Sequence, residues 1–120
     1  MNAIVQRWNK TIDNEIEMGR KYYSLLSITN NLQLTEREIE LLSFTSSRGT
    51  ISSPSSKGEF CRRFNSSVPT VNNMISRLKR LGYLVKANNK TSVNPVIDLD
   101  FSKDLIITIS LNGSKREDRE

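Results

Sequence analysis

Residues 67 to 80 read Ser-Val-Pro-Thr-Val-Asn-Asn-Met-Ile-Ser-Arg-Leu-Lys-Arg, a stretch crowded with hydroxyl, carboxamide and guanidinium groups. The side chains of Ser67, Thr70, Asn72, Asn73, Ser76 and Arg77 form hydrogen bonds without exchanging protons near neutral pH. That chemistry suits recognition. A carboxamide can meet adenine with two bonds and a guanidinium can meet guanine, while a hydroxyl suits a base edge or a phosphate. Chemistry that breaks bonds has far less material. The chain contains no histidine and a single cysteine, Cys61, which removes the usual general base, the usual zinc ligand and every Ser-His or Cys-His arrangement. Asp98 and Asp100 stand two apart with Asp104 nearby, but no base or other ligand type accompanies them, so loop solubility explains them better than a metal. No glycine-rich phosphate loop is present. The expectation is a protein that binds rather than catalyses, with no cofactor and no metal.

Charge points the same way. The net charge is +5, yet residues 57–90 hold eight basic residues against one acid, Glu59, a net of +7 that leaves −2 for the rest. Lys57, Arg62, Arg63, Lys79, Arg80, Lys86 and Lys90 are therefore candidates for gripping a phosphate backbone, which positions a protein without reading sequence. The plainer reading of these residues is a solvated face, or one used for protein contacts.

These groups need a scaffold. At 120 residues, 36% hydrophobic and 26% charged, the chain suits one small domain with an extra segment. No apolar run approaches the roughly 20 residues that cross a bilayer, and Arg7 interrupts the N-terminus too early for a signal peptide. The lone cysteine makes no intrachain disulfide and fits a reducing compartment. We expect action where the protein is made, without a membrane.

Ile4, Trp8, Ile12 and Ile16 recur every fourth residue, which predicts a first helix through Met18; a second short helix over 22–28 would end at Asn30-Asn31. Thr35 and Glu38 form a capping box opening a helix through Phe44, with Leu34 and Ile39 as its staple, and Gly49 lies in the turn that stops it. Thr50-Ile51 reads as a brief strand. Ser56 and Glu59 suggest a second capping box for a helix through Phe60 and Phe64. Ser67 caps the next helix, Pro69 sits in its first turn, and Val71, Ile75 and Leu78 give it a buried face that ends at Gly82. A strand begins at Tyr83-Leu84-Val85, residues 87–104 read as a polar loop, and the alternation over 105–111 predicts a closing strand with one buried face. Residues 114–120, SKREDRE, read as a solvated tail.

The run from Phe60 to Leu84, with Ser67-Val68-Pro69-Thr70-Val71, Ile75, Leu78 and Gly82-Tyr83-Leu84, resembles winged helix-turn-helix regulators of the MarR and related bacterial families. The resemblance covers about half the chain and is more specific for the fold than for a family. It implies an α+β winged helix-turn-helix over 34–112, with an N-terminal helical extension over 1–33, a C-terminal β-hairpin wing and a charged tail over 113–120. It also implies double-stranded DNA as partner, with the third helix (67–81) in the major groove, and a role in transcription regulation or DNA organisation. Such regulators dimerise through helices outside the motif, which makes Trp8, Ile12, Ile16, Tyr22 and Tyr23 candidates for an oligomer interface; completing the core is their other reading. The wing departs from the pattern, because Lys90 shares its loop with Asp98, Asp100 and Asp104, so only Asn88, Asn89 and Lys90 are expected at DNA. Tyr22 to Leu26, residues 34–42 and Asn94-Pro95 are also similar to small winged-helix proteins of tailed bacteriophages. The alternative it carries is a virion subunit at the neck or portal that contacts other phage structural proteins. The expected location is the cytoplasm of a bacterium or infected host, or the virion in that alternative.

Overall fold

The computed structural model describes residues 3–113. Four helices come first, α1 (Glu15–Thr29), α2 (Glu36–Arg48), α3 (Pro54–Phe64) and α4 (Val68–Arg80), followed by β1 (Leu84–Ala87) and β2 (Lys90–Val93). The strands pair antiparallel with Leu84 opposite Val93 and Ala87 opposite Lys90, so the architecture is α+β.

The first helix is one element where the sequence suggested two. Asn14, in an extended conformation, accepts a hydrogen bond from the Glu17 N–H and starts α1 there. Residues 3–13 hold no helix or strand, and Ile4, Val5 and Trp8 are 94%, 73% and 87% exposed. A one-residue-wide apolar stripe gains helix only if a neighbour buries it, and none of the described residues covers Ile4, Val5 or Trp8. Gly19 stands in mid-helix because α1 crosses α2 closely: a Cβ on it would meet Ser43 Oγ at 2.3 Å. That hydroxyl donates to the Ile16 carbonyl at 2.5 Å and locks the crossing.

α2 is the central helix, buried without interruption from Glu38 to Thr45 and touching α1, α3 and β2. The Thr35–Glu38 capping box forms, and Gly49 ends the helix with φ +89°. The cap of α3 lies three residues before the expected one. Ser53 accepts from the Ser56 N–H and Pro54 takes the first helical position, where its missing N–H costs nothing. Asn65, Ser66 and Ser67 turn the chain into α4, and Asn65 adopts the left-handed conformation that asparagine tolerates. At the end of α4, the Tyr83 and Gly82 N–H groups bond back to Leu78 and Lys79 with Gly82 at φ +85°, a Schellman closure. One aromatic cluster, Phe44, Phe60 and Phe64, joins α2 to α3, and another, Tyr22, Tyr23 and Phe101, covers α1.

The hairpin differs from expectation. Its second strand is β2, inside the stretch expected to be loop, because Asn88 and Asn89 both take positive φ (54° and 61°) as a two-residue type I′ turn requires. The Thr50-Ile51 segment lies along β2: the Ile51 N–H donates to the Thr91 carbonyl, and Ser52 Oγ accepts from the Thr91 N–H where a strand would supply a carbonyl. Residues 105–111 are not a strand. Among the described residues no backbone group of 104–113 makes a hydrogen bond. The charged tail from residue 114 lies outside the described residues.

Candidate nucleic-acid interface

α4 presents two faces. Val71, Met74, Ile75 and Leu78 recur at three- and four-residue spacing and are buried, which aims Asn72, Asn73, Ser76 and Arg80 outward, all exposed. Of the six candidate readers, Asn72, Asn73 and Ser76 carry side chains with no partner among the described residues. Ser67 and Thr70 are occupied at the helix start, where Ser67 Oγ caps the Thr70 N–H and the two hydroxyls bond at 2.9 Å. Arg77 lies on the flank facing α2. Its Nη1 reaches both Glu38 oxygens at 2.5 Å, and Glu38 also accepts the Thr35 N–H at 2.9 Å. The Glu38 side chain is 4% exposed, so Arg77 neutralises a buried carboxylate rather than standing free.

The candidate backbone cations have the opposite character. Lys57, Arg62 and Arg63 lie on α3, Lys79 and Arg80 in the last turn of α4, and Lys86 and Lys90 on the hairpin. Among the described residues none of the seven is within ion-pair distance of a carboxylate. The single acid of this stretch, Glu59, is bound by Arg48 from α2 at 2.5 Å. That hydrogen bond, with the nearby charges of Arg62 and Arg63, holds the Glu59 carboxyl below the usual carboxylate range. The one negative charge among these cations is therefore matched from outside them.

The acids expected in the far wing lie elsewhere. β2 ends at Val93, and Asn94 fixes the exit by donating to the Gly82 carbonyl and accepting from the Val96 N–H. The chain then turns back onto α1 and α2. Tyr23 donates its hydroxyl proton to the Ile97 carbonyl, and Ser46 of α2 bonds Asp98. Asp100 bonds Ser102, which lowers its pKa. Asp98 and Asp100 thus belong to a strap over the first two helices, while the hairpin tip carries Asn88, Asn89 and Lys90. No group of three or more metal-binding side chains occurs among the described residues.

The candidate interface residues divide. Ile16 and Tyr23 are closed inside the core, and burial pushes the Tyr23 phenol far above its ordinary range. Tyr22 is half-buried against Tyr23 and Phe101, Ile12 is half-buried, and Trp8 is exposed.

Sequence reasoning passed over the arginines that hold the scaffold. Arg37 bonds Glu40 and the Phe64 carbonyl at the end of α3, and Arg20 meets Glu17, Glu36 and Glu40 across α1 and α2. The available signal was the run Glu38-Ile39-Glu40-Leu41-Leu42: carboxylates this closely interleaved with apolar residues must be partly buried, and buried carboxylates require cationic partners.

No helix among the described residues is long and apolar enough to cross a membrane. Comparison with protein-family models, with curated proteins and with solved structures finds no match to this chain.

Proposed function

We propose that this protein is a non-enzymatic winged-helix protein that binds double-stranded DNA, in transcription regulation or DNA organisation, with α4 in the major groove and the hairpin as its wing. The observation that carries this reading is the open face of α4, where Asn72, Asn73 and Ser76 have no side-chain partner among the described residues, framed by seven cations on α3, α4 and the hairpin that have no carboxylate partner among those residues. Asparagines on a helix face supply base-edge contacts, and the cations supply phosphate contacts. Arg77, committed to Glu38, serves to fix α4 against α2.

An electrophoretic shift with mixed-sequence duplex across a salt series tests this. Retention should weaken steeply with salt, because each neutralised phosphate releases about 0.9 counterion. Arg62→Ala should weaken binding to all sequences alike and reduce the logarithmic salt slope by about 1. Absence of any shift at low salt would sink the proposal.

The uncovered residues Ile4, Val5 and Trp8 favour a second reading, in which the chain contacts protein as a structural subunit of a phage particle. Large oligomers in light scattering, together with no DNA binding, would support it.

A further inference from the structure

Residues 105–111, Leu-Ile-Ile-Thr-Ile-Ser-Leu, combine two properties that conflict inside a single chain. The alternation and the β-branched content are those of a strand, yet the segment has no backbone partner among the described residues. One row of side chains is placed: Ile107 and Ile109 line a shallow apolar cleft of about 160 Å³ with Tyr22, Leu25 and Leu26 of α1, and Leu105 packs on the core. Thr108 borders the same cleft, whereas Ile106 is 91% exposed and Leu111 at the end of the segment is equally open. Natural proteins guard such an edge with lysines, prolines or bulges. Residues 105–113 contain no charged residue and no proline.

We propose that residues 105–111 form half of an intermolecular β-sheet, pairing antiparallel with the same segment of a second copy about a two-fold axis through Thr108. The occupant follows from the sequence itself. With Thr108 opposite its own counterpart, Leu105 faces Leu111, Ile107 faces Ile109 and Ile106 faces Ser110. Every apolar residue of the inner row meets an apolar residue, so the row on α1 continues unbroken from one copy to the other. The absence of charge in the segment means that no like charges are opposed within the pairing.

The exposed apolar surface is of matching scale. Ile106, Ile107, Ile109 and Leu111, with Leu25 and Ile28 of α1, are between 39% and 91% exposed. At on the order of 100 Å² each, complete covering of the six would remove at most about 1,200 Å² over two copies, which reaches the low end of specific interfaces. The pairing is independent of whether the basic face binds DNA.

Sedimentation equilibrium of the full chain over a micromolar concentration series reads the association directly. A monomer–dimer equilibrium is expected. Thr108→Pro, which removes an N–H that serves no bond among the described residues, should weaken the dimer at least tenfold with an unchanged helical circular dichroism spectrum. Ile106→Lys, at an exposed position, should do the same and decides the case if the proline variant is misfolded. In a Cys61→Ser background, Thr108→Cys should cross-link two copies under mild oxidation and Ile106→Cys should not. A monomer at every concentration, a dimer indifferent to both substitutions, or open-ended polymers would each overturn the proposal.

Discussion

Arg77 shows how one contact redirects a residue's role. Its guanidinium closes on Glu38, and removing it strands a carboxylate whose side chain is 4% exposed. Breaking a buried ion pair costs about 3–5 kcal/mol, and water reaching the 36%-exposed arginine site offsets part of that. Arg77→Ala should therefore cost about 2–3 kcal/mol in urea unfolding. Asn73→Ala should stay within about 0.5 kcal/mol of the parent while changing preference among duplex sequences. The sequence showed which residue types could read a base, because type and helical spacing are local properties. It could not show which were already engaged, since Glu38 is thirty-nine positions from Arg77. Tyr23 carries a pH consequence. Burial raises its phenol pKa above the ordinary value near 10, so the folded state stays neutral while the unfolded state ionises. Its contribution to stability is complete below about pH 10 and is lost as pH rises towards the folded pKa. Tyr23→Phe should be less stable than the parent at pH 8, for want of the bond to Ile97, and the gap should narrow by pH 11 in urea midpoints.

At the scale of elements, the crossing of α1 and α2 depends on Gly19. Alanine there would raise helix propensity by about 1 kcal/mol but drive a methyl into Ser43 and towards Phe101. Overpacking costs about 1–3 kcal/mol, and breaking the Ser43–Ile16 bond adds to it. Gly19→Ala should thus lower stability in thermal melts, the reverse of its effect on an isolated helix. α2 and α4 were legible from sequence because their caps and core stripes agree: Thr35 with Glu38, Ser67 with Pro69, Val71 with Ile75 and Leu78. The first helix and the hairpin were less so. The four-spaced stripe from Ile4 ran through Asn14 without registering it as a cap, and Asn88-Asn89 carries the turn without the glycine that usually announces it. Residues 105–111 had the right period, but a strand also requires a partner, and the alternation of one segment does not say which chain provides it.

For the molecule as a whole, one feature has a kinetic meaning. Among the described residues, cations without carboxylate partners are gathered on α3, α4 and the hairpin, while Asp98 is drawn onto α2 by Ser46, and Glu17 and Glu36 are held at Arg20 between α1 and α2. Such a separation gives the molecule a dipole, and a dipole turns in the field of a charged rod before touching it. Ser46→Ala would remove the hydroxyl that bonds Asp98, while Tyr23 and Phe101 still hold the strap. If the basic face meets DNA, the first loss should be in how often an encounter begins with the correct face forward. Stopped-flow mixing at low salt should register a slower association with dissociation little changed, and the difference should vanish as added ions shorten the reach of the field.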